Sequence, residues 1–180
     1  RELPTNRVRG AAKALRGGPL WTTHDAGAAA ALKALARDEG VTLYVVLLTL
    51  WFVLLHRLTG KSDVTVGTPV LGRPAARFER TVGDLINMLP FRVREIDRLT
   101  FRAALKRVRT VVLEGMARQD YPLPRMVEQA QRTEYGVQPF DTLFVLQDFS
   151  RFASLEKLML ADDGERVTCG DLKLTPFRLN

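Results

Sequence analysis

Apolar and polar residues follow one another along the chain in patterns that predict helices separated by short strands. Asp25 precedes an Ala-rich stretch with apolar residues at helical spacing, so a first helix is predicted from this N-cap to about Glu39, ended by Gly40. Thr42 precedes a second stretch that is apolar on nearly every side and ends at Gly60. We expect this second helix to be the central buried one.

Runs rich in β-branched residues predict the strands. Asp63–Val70 is too short for a helix and is predicted as a strand, followed by a loop through "LGRPAARFER". Asn87–Val93 predicts a second strand, provided that Pro90 lies where the ladder needs no N–H donor. Further strands are predicted in "GPLWTTHD", "PFDTLFVLQDF" and "VTCGDLKLTPF".

Two more helices are predicted in the second half of the chain. Thr100 caps an amphipathic stretch whose apolar residues recur at steps of three and four: Phe101, Leu105, Val108, Val112 and Met116. "YPLPRMVEQA" predicts a short helix with Pro122 and Pro124 at its start, and Leu155–Leu160 predicts one helical turn before a polar turn at "ADDGE". Alternating helices and strands indicate an α/β layer with a mixed sheet.

Composition narrows the class of protein. The 180 residues are 46% hydrophobic and 26% charged, which is typical of one globular domain. A single cysteine, Cys169, cannot form an internal disulfide, so a reducing, cytoplasmic location is expected. The longest apolar run, "VTLYVVLLTLWFVLL", is shorter than the roughly 18 residues needed to span a bilayer. The net charge of +7 is spread along the chain without an RNA-binding motif, which argues against nucleic acid as the partner.

Residues able to carry chemistry are few. His24 and His56 are the only histidines; His24 has no nucleophile placed nearby, and His56 is interpreted as a packing residue at a helix end. Neither HExxH nor a CxxC pair is present, so no metal site is expected. The glycines of "TVGTPVLGR" lack phosphate-loop spacing. The residues by themselves therefore indicate an α/β domain without a self-contained catalytic constellation.

An ordered series of motifs resembles the C-terminal lobe of the condensation domains of nonribosomal peptide synthetases, which have a chloramphenicol acetyltransferase-like fold. "LPTNR" is similar to the lead-in "LPTDRPRP", and "LLHRLTGKSDVTVGTPVLGR" to a helix ending in "LLHRYTG" with the strand that follows. "VGDLINMLPFR" resembles IGxFVNTLxxR, "RQDYPLPRMVE" resembles HQDYPFExLVE, and "QPFDTLFVLQDF" resembles "NPLFQVMFVLQN". The series runs from Leu3 to Phe149.

The chain departs from this family at several positions. Asp84 replaces an aromatic residue, Met88 a Thr, and Arg118 a His or Asn, while "EYGVQPF" lacks the usual elements of the seventh motif. The catalytic HHxxxDG element of the N-terminal lobe occurs nowhere in these residues, and neither does the "AKFDLT" that precedes the last strands. We therefore expect residues 1–180 to be a partial condensation domain that is inactive alone.

The resemblance implies a function in amide formation between carrier-bound aminoacyl or peptidyl thioesters, with this lobe as one wall of the channel. It implies no bound cofactor, since both substrates arrive on 4'-phosphopantetheine arms. The implied partners are the N-terminal lobe, the donor and acceptor peptidyl carrier proteins and the adenylation domain, with neither nucleic acid nor membrane. No catalytic residue is implied here; the candidate channel-lining or structural residues are Asn87, Asp84, Arg92, Gln119, Asp120, Gly67, Thr68 and Arg73, and the candidate carrier-docking residues are Arg102, Lys106 and Arg109.

Two other functions stay open at this point. A non-catalytic domain of the same fold, recruiting a partner protein, is compatible with the departures from the family. An intact HHxxxDG upstream favours the enzyme over this recruiter. A basic RNA-binding protein is the third hypothesis, and it predicts salt-sensitive binding to RNA.

Overall fold

The computed structural model describes residues 18, 20, 22–73, 76–78, 80–131, 140–147 and 167–174. The chain divides into two compact units. In the described residues, the first unit contains four α-helices and two paired strands between His24 and Val145, and the second contains a small hairpin within Leu146–Asn180.

The two N-terminal helices begin and end where their capping residues predict. Helix α1 is Ala26–Asp38, and the Asp25 carboxylate accepts a hydrogen bond of 2.7 Å from the N–H of Ala28. Helix α2 is Leu43–Thr59, capped by Thr42, and it ends at Gly60, whose φ of 67° is the left-handed conformation that glycine adopts without strain. Both predicted boundaries are confirmed to within one residue.

Helix α2 has the most buried residues of the helices described, which agrees with its predicted central position, but it is buried on one face only. One face packs into the core through six buried residues, among them Phe52 at 0% exposure. The opposite face carries Leu50, Leu54 and Leu58 at four-residue spacing, and these side chains are 40 to 52% exposed. Because the sequence of α2 is apolar on both faces, it did not indicate which face is buried and which is exposed.

The central sheet pairs β1, Val64–Val70, with β2, Asn87–Val93, in antiparallel register from Val64 opposite Val93 to Val70 opposite Asn87. The predicted bounds of β2 are confirmed, and β1 begins one residue later than predicted. Alternate residues of both strands are buried beneath the helices.

Pro90 lies at a position of β2 where the pairing with β1 needs no backbone N–H donor. It is opposite Gly67, whose N–H and C=O both point to the far edge of β1, where they bond Thr142 O and Phe144 N at 2.9 Å. The two residues are therefore a pair without mutual hydrogen bonds, and the missing N–H of Pro90 faces away from β1.

Segment 140–147 adds a short parallel contact to the free edge of β1. Gly67 and Leu143 form an isolated parallel bridge. The strand predicted for "PFDTLFVLQDF" is thus reduced to this bridge in residues 140–147, and Pro139, Asp148 and Phe149 lie outside the described part. Antiparallel and parallel pairing meet at β1, which agrees with the predicted mixed sheet.

The two remaining helices also follow the sequence. Helix α3 is Phe101–Met116, with Thr100 accepting a hydrogen bond from the N–H of Ala103, and helix α4 is Leu123–Gln131. Short 3-10 turns lie at Ala76–Phe78 and Ile96–Arg98. Helices α2 and α3 cover the sheet around a core of buried apolar residues, the largest of which are Phe52, Phe91, Leu48 and Leu105.

The second unit contains a hairpin of β3, Val167–Cys169, and β4, Leu172–Leu174. A single strand was predicted through "VTCGDLKLTPF"; the chain instead reverses at Gly170, which has a φ of 58°. No strand forms at 22–25, contrary to the prediction for "GPLWTTHD". The predicted turn of helix at Leu155–Leu160 and the turn at "ADDGE" lie outside the described residues.

One bent pair of helices in the described part of the chain has the combined length and apolar content of a membrane span. Among the residues whose structure is described, no single helix has the length and apolar content to cross a bilayer. Helices α1 and α2 pass that test only when taken together, and they are bent by 105° at their junction.

A close approach between α3 and β2 depends on Gly115. A Cβ built on Gly115 would lie 2.5 Å from Cε1 of Phe91, whose side chain is 1% exposed. Because the ring is a nearly fully buried member of the core, it cannot move aside without disturbing the packing there.

Gly115→Ala is predicted to destabilise the protein. Helix propensity alone favours alanine by about 1 kcal/mol, but the clash with Phe91 costs about 1 to 3 kcal/mol, so we expect a net fall in melting temperature. Thermal unfolding followed by circular dichroism measures this. Glu114→Ala, at the exposed neighbouring position, is the matched control and should change little; a rise in melting temperature for Gly115→Ala would contradict the packing described.

Candidate functional site

Asn87 joins the end of the sheet to the turn between α3 and α4. Its side-chain amide nitrogen donates to the backbone carbonyls of Gln119 at 2.9 Å and Tyr121 at 2.8 Å. Its amide oxygen accepts the N–H of Leu123 at 3.2 Å. Leu123 is the first residue of α4, where an N–H has no partner within the helix, so Asn87 caps this helix from a neighbouring strand. An asparagine suits this place because it both donates and accepts.

Thr68 links three elements through its hydroxyl. It donates to the carbonyl of Phe144 at 3.1 Å and lies 2.8 Å from the hydroxyl of Tyr44, at the start of α2. Since the single hydrogen of Thr68 goes to Phe144, the Tyr44 hydroxyl is the donor to Thr68. Burial raises the pKa of Tyr44 above its usual value, against a smaller lowering by the hydrogen bond with Thr68, so the phenol stays neutral and able to donate.

Arg73 holds the loop that leads into β2. Its Nη2 donates to the carbonyls of Thr81 at 3.1 Å and Gly83 at 3.4 Å. Within this loop the Asp84 carboxylate accepts the N–H of Ile86 at 3.0 Å. The "GR" at the end of "GTPVLGR" therefore fixes the stretch that contains Asp84.

A cleft of about 530 Å³ opens between the start of α2, the end of α3 and the last residues of β1. Its walls are mainly apolar, with the hydroxyls of Tyr44 and Thr68, the Arg73 side chain and Gln119 as the polar groups. The full lining is Tyr44, Thr68, Pro69, Val70, Leu71, Arg73, Phe91, Val112, Met116 and Gln119.

The structure brings some of the predicted site residues to this cleft and leaves others out. Thr68, Arg73 and Gln119 line it, while Asn87 holds the backbone of Gln119 from outside. Gly67 lies on β1 against Phe140 and Leu143, which a Cβ there would meet at 2.6 to 2.7 Å. Asp84 and Asp120 are exposed residues that are not part of the lining.

Seven lining residues were not recognised as site residues from the sequence: Tyr44, Pro69, Val70, Leu71, Phe91, Val112 and Met116. Val112 and Met116 lie on the predicted apolar face of α3, which indicates burial in a core. Met116 is in fact 38% exposed. The end of α3 at Met116 is a signal that could have revealed this exposure, since the core no longer covers the last turn of the helix.

Arg92 lies outside the cleft, in an ion pair with Asp63. Its Nε donates to Oδ1 of Asp63 at 2.8 Å and its Nη2 to Oδ2 of the same carboxylate, which is a bidentate arrangement across the two strands. The hydrogen bond from Arg92 lowers the pKa of Asp63; partial burial opposes this, and the charges of Arg92 and Arg94 lower it further.

The predicted basic stripe lies on the exposed face of α3, but its first member is paired. Arg102 Nε is 2.8 Å from the carboxylate of Glu39, which is the C-cap residue of α1. Lys106 and Arg109 are exposed one and two turns further along. Arg102 thus joins two helices, in addition to any role on the surface.

The histidines take no part in the cleft. His24 is exposed, and the Nδ1 of His56 lies 2.7 Å from the carbonyl of Lys61, just beyond the end of α2. The packing role predicted for His56 agrees with this contact. Within the described ranges no group of three or more His, Cys, Asp or Glu side chains could hold a metal ion.

Comparison with known proteins decides the family. The family profile described as Condensation domain matches residues 1–166. The chain belongs to the condensation-domain family. Phosphinothricin tripeptide synthetase PhsB of Streptomyces viridochromogenes is 42% identical to this condensation-domain chain over 128 residues, which are 71% of the chain and 11% of that relative. Tyrocidine synthase 3 of Brevibacillus parabrevis is 36% identical over 151 residues, which are 83% of the chain and 2% of that relative. The chain thus spans a small part of the length of these curated relatives.

Solved structures agree on the fold. A four-domain nonribosomal peptide synthetase in its holo form, bound to AMP and glycine, superimposes with a TM-score of 0.72 at 20% identity, covering 86% of this chain and 12% of that one. The X-domain from teicoplanin biosynthesis has a TM-score of 0.63 at 25% identity, covering 70% and 28%. The α/β fold is therefore the chloramphenicol acetyltransferase-like fold of condensation domains, as the motifs predicted.

Asp63→Asn is predicted to remove part of the acid sensitivity of the fold. Because the folded-state pKa of Asp63 lies below its usual 3.8, the carboxylate contributes stability above that pH and loses it as the pH falls through the lower value. The pair is 41 to 52% exposed, so we expect a loss of about 0.2 to 1 kcal/mol near neutral pH. Melting temperatures measured between about pH 2 and 7 should fall less steeply on acidification in the variant.

Asp97→Asn is the matched control for this experiment. Asp97 is exposed and has no ion pair among the residues described, so its variant should follow the wild-type curve. Identical pH dependence for Asp63→Asn and wild type would contradict the proposed contribution of the pair.

Proposed function

We propose that this chain is the C-terminal lobe of a condensation domain that forms amide bonds in nonribosomal peptide synthesis. In this reaction the amine of the acceptor aminoacyl thioester attacks the carbonyl of the donor thioester; the C–N bond forms, the C–S bond breaks, and the thiol stays on the arm of the donor carrier. The observation that carries the proposal is the family match over residues 1–166, with the channel motifs in order.

The cleft fits a supporting role in this chemistry. Its lining contains no histidine, cysteine or carboxylate among the described residues. The group that acts on the amine or on the tetrahedral intermediate therefore comes from the HHxxxDG element of the N-terminal lobe, which the resemblance implies. This lobe supplies a wall, through Thr68, Arg73 and Gln119, that positions the reacting groups.

Carrier proteins are the partners that this proposal requires. Both substrates arrive on phosphopantetheine arms, so no cofactor is held by the chain itself, and the adenylation domain of the same assembly line loads the carriers in the cytoplasm. Lys106 and Arg109 form an exposed basic face that suits an acidic carrier surface. Arg102 extends this face, although its charge is partly balanced by Glu39.

A recruiting domain is the second candidate. The likeness to the X-domain from teicoplanin biosynthesis favours it, because a second matched structure is named as the complex of the X-domain with OxyB. An intact HHxxxDG element elsewhere in the protein favours the amide-forming enzyme over the recruiting domain, since recruitment does not need it.

A condensation assay tests the leading proposal. We expect the full-length protein to join the substrates of loaded donor and acceptor carriers, and Asn87→Ala to lower kcat at least about tenfold because the wall at Gln119 loses its anchor. Asp38→Asn, at an exposed position on α1, is the control and should act as wild type. Full activity of Asn87→Ala would contradict its assignment to the site, and no amide from wild type would favour the recruiter.

Charge reversal tests the carrier-docking face. Lys106→Glu is expected to raise KM for one of the two carriers about fivefold at low salt with kcat nearly unchanged, because an exposed charge acts on encounter more than on chemistry. Lys33→Glu reverses the charge of an exposed lysine on α1 and is the matched control. Equal effects of the two variants, or an effect that persists in high salt, would exclude this face as the docking site.

A further inference from the structure

The cleft at the end of α3 has the size and surface of a side-chain binding site. Its volume is about 530 Å³, whereas an apolar cavity of about 150 Å³ already holds a benzene ring. Val70, Phe91, Val112 and Met116 provide its apolar walls. It therefore has room for a large apolar side chain together with part of the arm that carries it.

The charges around the cleft restrict what it accepts. Arg73 contributes a guanidinium group to the wall, and no carboxylate is found among the described lining residues. A ligand ammonium group here would lose water without gaining an anionic partner. The hydroxyl hydrogens of Thr68 and Tyr44 are used within the protein, so their oxygens can accept from a ligand N–H, while the Gln119 amide can both donate and accept. These groups suit a neutral hydrogen-bonding group such as the amide of the arm.

Met116 is placed to decide which side chains fit. It lines the cleft while 38% of its own surface stays exposed, so it lies at the open side of the wall. Its flexible thioether packs against varied apolar shapes. Gln119, one turn later, is held in place by the hydrogen bond from Asn87 to its carbonyl.

We propose that this cleft binds the uncharged apolar side chain of an aminoacyl group carried on a phosphopantetheine arm, and that Met116 is a specificity-determining residue. The inference rests on the proposed function for the origin of the arm. The same chemistry is offered by an acceptor, with a free amine, and by a donor, whose amine is acylated. The experiment separates these two sources.

Binding of stable pantetheine amides to the full-length protein tests the inference. Leucyl, glycyl and lysyl derivatives are titrated by calorimetry, each with a free amine as the acceptor mimic and N-acetylated as the donor mimic. In at least one of the two series we expect leucyl to bind at least about tenfold more tightly than glycyl, because its side chain leaves water, and lysyl to bind no more tightly than glycyl. The series that shows the preference identifies the source.

Two variants of α3 connect the preference to the cleft. Met116→Trp fills the space and should reduce the leucyl preference below about twofold, whereas Leu113→Trp, at a residue 57% exposed that does not line the cleft, should keep it. Met116→Ala provides a variant without added bulk, and it should weaken leucyl binding more than glycyl binding. Circular dichroism melting checks that each variant folds.

The outcomes separate this inference from the proposed function. Equal binding of leucyl and glycyl derivatives in both series, or an unchanged preference in Met116→Trp, overturns the inference even if the protein forms amides. A leucyl preference that Met116→Trp abolishes supports it. If such a protein forms no amide in the condensation assay, the proposed function fails while the binding site stands.

Discussion

The antiparallel pairing of β1 with β2 fixes where the side chains of the site lie. The register places Asn87 opposite Val70, at the end of the sheet where the cleft opens. A shift by one residue would turn every side chain of one strand to the opposite face, moving the buried residues of β2 out of the core and Asn87 away from the turn that it holds. Burial of alternate residues beneath α2 and α3 opposes that shift.

Asn87 links the end of the sheet to the turn between α3 and α4. Three hydrogen bonds from one side chain satisfy two carbonyls and the first N–H of α4. These contacts are part-buried or exposed, so losing the partner costs less than the roughly 1 to 3 kcal/mol of a fully buried unpaired group. The resemblance to condensation domains drew attention to this asparagine, and the contacts show that its side chain is occupied by the backbone of its own chain. In the proposed function, its effect on a substrate is therefore through position.

Local signals in the sequence were sufficient for most element boundaries. Asp25, Thr42 and Thr100 cap helices as predicted because a cap depends on residues three positions away. The exposed face of α2 could not be predicted, since Leu50 and Leu54 are as apolar as the buried Phe52 and only packing distinguishes them. The cleft was missed for a related reason: Met116 continues the apolar stripe of α3 beyond the point where the core covers it. The hairpin at Gly170 was predicted as one strand because its turn has only two residues, Gly170 and Asp171.

Hydrogen exchange at Leu123 tests most directly whether Asn87 joins the sheet to the turn. Exchange measured by mass spectrometry on the full-length protein should be at least about tenfold faster at the Leu123 amide in Asn87→Ala than in wild type, because the amide loses its acceptor. The amides of Val66 and Phe91, within the paired strands, should keep their wild-type rates. An unchanged rate at Leu123 would contradict the account, and so would faster exchange throughout both strands, which would indicate a general loss of stability.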